Sequence, residues 1–134
     1  MKTRTIKQTI IISATPHQVF ETLMDPEKHS ELTGSDANIS REIGGSFKVW
    51  DGYIEGTNIE IVPDKKIVQN WRGEEECWPE GHYSIITIEL EEVEGGTRLD
   101  FTQENMPEDC YDNFYKGWYD NYWDPMQEIF KKYK

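Results

Sequence analysis

The sequence predicts an α+β domain in which a curved antiparallel sheet carries two short helices near its start and packs on one long C-terminal helix. Three observations point to it. A Thr- and Ile-rich stretch opens the chain at residues 3–12 and gives way at once to a helix-capping pattern. Turn signals then punctuate residues 44–97 at the short spacing of strands joined as a meander. From Tyr111 onward, large apolar residues recur at three- and four-residue spacings, the period of a helix with one broad apolar face.

Each element follows from local chemistry. Ile6, Ile10, Ile11 and Ile12 belong to a first, edge strand, because β-branched residues favour extended backbone. Thr15-Pro16-His17-Gln18 reads as a capping box with Pro in the first turn, and Val19, Phe20, Leu23 and Met24 form the stripe of a short helix. Asp25-Pro26 ends it and caps a second one that stops near Gly34. Gly44-Gly45 is a turn or bulge before a strand around Phe47 and Val49, and Asp51-Gly52 is a hairpin turn into a strand over 53–61. Val62-Pro63-Asp64-Lys65 turns into a strand over 67–72, and the loop GEEECWPEGH (73–82) leads to a strand over 83–92. There Ser84, Ile86, Ile88 and Leu90 share the core face. Glu94-Gly95-Gly96-Thr97 turns into a last strand with Leu99 and Phe101 inward, Arg98 and Asp100 outward.

The final segment, from about Pro107 to Tyr133, is read as one long helix with Tyr111, Phe114, Tyr115, Trp118, Tyr122, Met126 and Ile129 on its apolar face. Pro125 cannot donate to the carbonyl of Asn121, so a kink or a break is expected there. Tyr119 and Trp123 fall off the stripe and are expected to face solvent.

Composition narrows the function. The chain has 134 residues, which suits one domain over residues 1–134. Its net charge is −12, and the acidic surplus lies wholly after residue 50, where 20 acidic residues face 8 basic ones. Nucleic acid and anionic membranes are therefore poor partners, while a basic protein surface and plain solubility both fit. No apolar run approaches the roughly 20 residues that span a bilayer. The first residues do not form a signal peptide, and a cytoplasmic location is expected. Cys77 and Cys110 form neither a CxxC nor a zinc pattern; one disulfide is conceivable, and two free thiols are expected.

No constellation for catalysis stands out. His17, His29 and His82 have no metal-ligand spacing, no phosphate-binding glycine loop is present, and neither metal nor cofactor is expected. Glu89, Glu91 and Asp100 read as a solvated sheet face, and Glu74, Glu75 and Glu76 as a solvated loop or an acidic contact patch. Trp118, flanked by Phe114 and Tyr122, reads as a core anchor or a cavity wall. Trp78, in a loop beside Pro79, is a candidate for an interface or a cavity mouth.

The segments IGGSFKVWDGYIEGTNIEIVPDKKIVQNWR (43–72), WPEGHYSIITIEL (78–90) and GWYDNYW (117–123) together resemble the C-terminal domain of the Aha1 family of Hsp90 ATPase activators, within the START-like helix-grip superfamily. Gly44-Gly45, Asp51-Gly52, Val62-Pro63, Trp71-Arg72, Trp78-Pro79-Glu80-Gly81-His82 and Gly117-Trp118, in that order, carry the likeness over nearly the whole chain. The resemblance implies a START-like helix-grip fold and a co-chaperone-like module that contacts an Hsp90-type chaperone and favours its N-terminally closed state. The partner-binding residues would then lie in the loop: Glu74, Glu75, Glu76, Trp78, Glu80 and His82. The superfamily implies an alternative, a stand-alone protein holding a small apolar ligand between the sheet and the long helix. Phe47, Trp71, Ile86 and Phe101 from strands and Phe114, Trp118 and Tyr122 from the helix would line that cavity. An enzyme built in the cavity lacks a convincing acid/base pair.

Overall fold

The computed structural model describes residues 2–132. Its strands are β1 (Thr3–Ile12), β2 (Asn38–Ile39), β3 (Ser46–Val49), β4 (Ile54–Val62), β5 (Lys66–Gly73), β6 (Ser84–Val93) and β7 (Gly96–Pro107). The helices are α1 (Pro16–Met24), α2 (Pro26–Thr33), α3 (Tyr111–Trp118) and α4 (Asp124–Lys132). The strands form one seven-stranded sheet in the order β1-β7-β6-β5-β4-β3-β2, every neighbouring pair antiparallel. The expected α+β class, curved sheet, two short helices and C-terminal helix are all present. The two-residue β2 is too short to leave a signal of its own in the sequence.

Local chemistry sets the helix ends. Thr15 Oγ1 accepts from the Gln18 N–H at 3.1 Å, and Gln18 Oε1 accepts from the Thr15 N–H at 2.9 Å, which completes the capping box. Asp25 ends α1 and caps α2 by accepting from the Lys28 N–H at 3.0 Å. Gly34, with φ of +78°, closes α2.

The sheet curves where its pairing slips. Registers shift between Arg4 and Ile6 in β1 and between Asn58 and Glu60 in β4, and such bulges bend a strand. Gly56 marks a close approach in β4: a Cβ there would lie 1.9 Å from the Asn70 carbonyl oxygen and 2.7 Å from the Phe47 ring. The inward face alternates as the sequence requires, with Ser84, Ile86, Ile88, Leu90, Leu99 and Phe101 all buried.

The C-terminal helix departs from the expectation in one instructive way. Between α3 and α4 the chain makes a π-turn at Tyr119–Trp123, with the Asp124 N–H donating to the Tyr119 carbonyl five residues back. The turn lies immediately before Pro125, so the helix runs on without a break at the residue that lacks a donor. The extra residue also rotates the helix beyond it. Trp123, expected at the solvent side, is fully buried beside Tyr122; its ring lies 5.5 Å from those of Phe101 and Trp118, and its indole N–H donates to Gln8 Oε1 at 2.7 Å. Tyr119 is half-buried. Tyr133, the expected end of the helix, lies outside the described residues.

Candidate functional site

A cavity of about 360 Å³ lies between the sheet and the C-terminal helix, large enough for a small molecule. From β5, Trp71 lies 4.6 Å from Trp118 of α3, ring centroid to centroid, and Trp118 lies 4.9 Å from Tyr122 of the π-turn. These three rings make a continuous wall, and Phe114 of α3 extends it. Phe47 and Ile86 instead border a void of about 20 Å³ deeper in the core, with Trp71, Trp118 and Tyr122 between them and the main cavity. Phe101 borders neither space; it packs against Trp118 at 4.3 Å.

The other lining residues are ones that the sequence reading does not single out for the cavity. Trp50, Tyr53 and Ile54 come from the β3–β4 turn and the start of β4, and Asn113, Gly117 and Asn121 from the helix. The latter three recur every fourth residue beside the aromatic stripe, a small and polar stripe that was open to detection. Trp50 gave no such signal. It stands at a turn with φ of +56°, a left-handed conformation that a bulky residue rarely takes, followed by Asp51 at +57°. Asp51 Oδ1 accepts from the Asp36 N–H at 3.0 Å, and the Trp50 indole N–H donates to the Tyr122 hydroxyl at 3.0 Å. These bonds hold the turn over the cavity.

Behind Tyr122 the chain of bonds continues into the core. His29 of α2 faces the Leu23 carbonyl through Nδ1 at 3.0 Å, so Nδ1 carries the hydrogen and donates. Nε2 is then the acceptor for the Tyr122 O–H at 2.9 Å. Burial lowers the pKa of His29, with the Leu23 bond opposing, and burial raises that of Tyr122 well above the phenol range, with the Trp50 bond opposing. Both groups are neutral at pH 7, as an uncharged relay between three elements requires.

The loop at residues 74–82 reaches the cavity through Glu75 and is tied down from several sides. Arg72 donates to the carbonyls of Trp78, Pro79 and His82. His82 Nε2–H donates to the Asn105 carbonyl at 2.8 Å. Glu74, Glu75, Glu76 and Glu80 are exposed, and His82 is half-buried. Glu75 also lines the cavity, where it accepts from the Tyr53 hydroxyl. Trp78, expected at an interface or a cavity mouth, is only 3% exposed and does not line the cavity. It packs against Phe114 at 5.7 Å, over Gly73, where a Cβ would lie 3.0 Å from the indole nitrogen. Its indole N–H has no hydrogen-bond partner among the described residues.

The expectation of free thiols is overturned. Cys77 and Cys110 form a disulfide, their Cα atoms 6.0 Å apart across 33 residues of sequence. The loop crosses the start of the C-terminal helix, a contact that cysteine spacing alone does not encode. Glu75, Cys77 and Cys110 are the one cluster of potential metal donors among the described residues. With the sulfurs bonded to each other, that cluster offers no thiolate.

An antiparallel sheet closed by a C-terminal helix over an aromatic cavity defines a domain of the helix-grip type. Residues 13–131 match the family model described as activator of Hsp90 ATPase homolog 1-like protein, and the chain belongs to that family. It is similar to the human activator of 90 kDa heat shock protein ATPase homolog 1, 29% identical over 94% of this chain and 36% of that protein. It is likewise similar to the Dictyostelium discoideum homolog, 30% identical over 96% of this chain and 33% of that one. The chain thus spans about a third of the length of these curated relatives. Among solved structures, an HSP90 activator from Plasmodium falciparum superposes with a TM-score of 0.86 at 28% identity, covering 93% of this chain and 94% of that one. The Aha1 dimer from Colwellia psychrerythraea shares the fold, with a TM-score of 0.77 at 20% identity over 92% and 93% of the two chains.

Proposed function

We propose that this chain is a co-chaperone-like binding module that engages an Hsp90-type chaperone and raises its ATPase turnover by stabilising the N-terminally closed state. The observation that carries the reading is the likeness, over 93% of this chain, to a Plasmodium falciparum protein described as an HSP90 activator. The exposed carboxylates of Glu74, Glu76 and Glu80, held on a braced loop in a chain of net charge −12, suit a basic contact surface. The mechanism is a population shift: the module binds the closed arrangement of the ATPase more tightly than the open one, and only that difference in affinity does work. The chain performs no chemistry itself.

The test is steady-state ATP turnover of the host's Hsp90, titrated with this protein at low salt. Saturable stimulation, with no hydrolysis by this chain alone, is the expected result. Absence of both stimulation and association would overturn the reading. A second reading, small-ligand binding, is favoured by one observation, the aromatic cavity of about 360 Å³.

A further inference from the structure

The cavity under the C-terminal helix has a chemical bias that an apolar ligand does not use. Its walls are predominantly aromatic, and its one charged lining residue among the described residues is a carboxylate, Glu75. Trp71, Trp118 and Tyr122 lie in tilted contact along one side, and Trp50 meets Tyr122 edge-on at 6.0 Å. The remaining polar lining side chains besides the aromatic ones are the neutral amides of Asn113 and Asn121. Glu75 is half-committed: one carboxylate oxygen accepts from the Tyr53 hydroxyl. The other lies 3.6 Å from Cys77 Sγ and 3.4 Å from Cys110 Sγ. Those sulfurs are bonded to each other and have no hydrogen to donate.

We infer that this cavity takes a small organic cation, a quaternary or protonated amine with an apolar body, its charged head set between the aromatic lining and the carboxylate of Glu75. Aromatic faces carry the negative part of the ring quadrupole and attract a cation of low hydration. A carboxylate in the same lining adds a charge of the right sign, and the −12 net charge of the chain raises the local concentration of cations further. An anion is repelled on all three counts, and a neutral apolar molecule gains nothing from the carboxylate. The volume, at the lower end of the range for small-molecule sites, selects a free amine of modest size. The inference rests on the cavity being a ligand site and is independent of the chaperone reading.

The probes are choline, its uncharged carbon isostere 3,3-dimethylbutan-1-ol, and benzyltrimethylammonium, titrated into the full chain and followed by tryptophan fluorescence and indole N–H resonances. Choline is expected to bind about tenfold more tightly than the isostere, and benzyltrimethylammonium more tightly than choline. Glu75→Gln, an exposed isosteric change, is expected to weaken both cations about threefold or more and to leave the alcohol unaffected. Equal affinity for choline and the alcohol, with no effect of Glu75→Gln, overturns the cation inference while the cavity remains a ligand site. No response of the Trp71 and Trp118 indoles to any of the three probes at tens of millimolar overturns the ligand reading itself.

Discussion

Opening the Cys77–Cys110 bridge is the perturbation with the most calculable consequence. The bridge closes a loop of 33 residues. Cross-linking a loop of that length removes about 3.7 kcal/mol of denatured-state entropy at 25 °C, on the chain-entropy relation. For 134 residues at about 2.1 cal/mol/K of unfolding entropy each, that corresponds to roughly 13 °C in Tm. Native packing changes little on reduction, because Cys110 is already a buried core residue and its thiol is a small hydrophobe. The assay is urea and thermal unfolding with and without reductant, read by near-ultraviolet circular dichroism, with thiol titration confirming the redox state. Cys77→Ser is the control: its stability should match the reduced protein and ignore reductant. Coincident unfolding curves for verified oxidised and reduced protein would refute the reasoning, as would two titratable thiols in native protein kept free of reductant.

The other predictions are shorter. His29 has a folded pKa below its ordinary 6.5, so the unfolded chain takes up the proton first. Its contribution is complete above pH 6.5 and is lost as pH falls below that value, by at most about 1.4 kcal/mol per pH unit, and His29→Gln should flatten the urea midpoint over that window. Trp123→Ala should destabilise by about 3–5 kcal/mol because the ring is wholly buried, whereas Trp123→Phe should lose about 1–3 kcal/mol through the orphaned Gln8 Oε1; chemical denaturation measures both. Reversing charge at Glu74, Glu76 and Glu80 should slow association with the chaperone and flatten its salt dependence while leaving dissociation nearly unchanged; stopped-flow binding at two salt concentrations would show it.

The parts of the fold written in local chemistry were readable. Capping at Thr15 and Asp25, alternation in β6 and β7, and turn signals at Gly44-Gly45, Asp51-Gly52 and Val62–Lys65 each depend on a few neighbouring residues, and each appears where the sequence places it. The features that escaped depend on residues distant in sequence. Cys77 meets Cys110 because a loop folds over the start of a helix, and Trp78 disappears into the core because Gly73, five residues earlier, leaves room for its indole. Trp50 joins the cavity through a left-handed turn that only its partner Tyr122, 72 residues later, explains. Hence the helix and central-strand side of the cavity was legible in Trp71, Phe114, Trp118 and Tyr122, while the turn side was not.

The π-turn joins these two kinds of information. Pro125 announces locally that a regular helix cannot pass, but not how the chain answers. The answer is one extra residue in the turn at Tyr119–Trp123, which changes the phase of the helix beyond it. That change of phase buries two adjacent aromatic residues on the same side. Tyr122 completes the cavity wall and the bond chain to Trp50 and His29, and Trp123 anchors the helix to β1 through Gln8. Neighbours on a helix lie about 100° apart, so the direction in which Tyr122 and Trp123 point is set by the phase that the extra residue gives the turn. Removing one residue from the turn, by deleting exposed Asp120, should therefore retain helix content yet expel one of the two rings. The expected result is a folded or partly folded chain with a red-shifted tryptophan emission and no cavity binding. An unchanged emission spectrum together with unchanged stability would show that the phase shift is not what builds the wall.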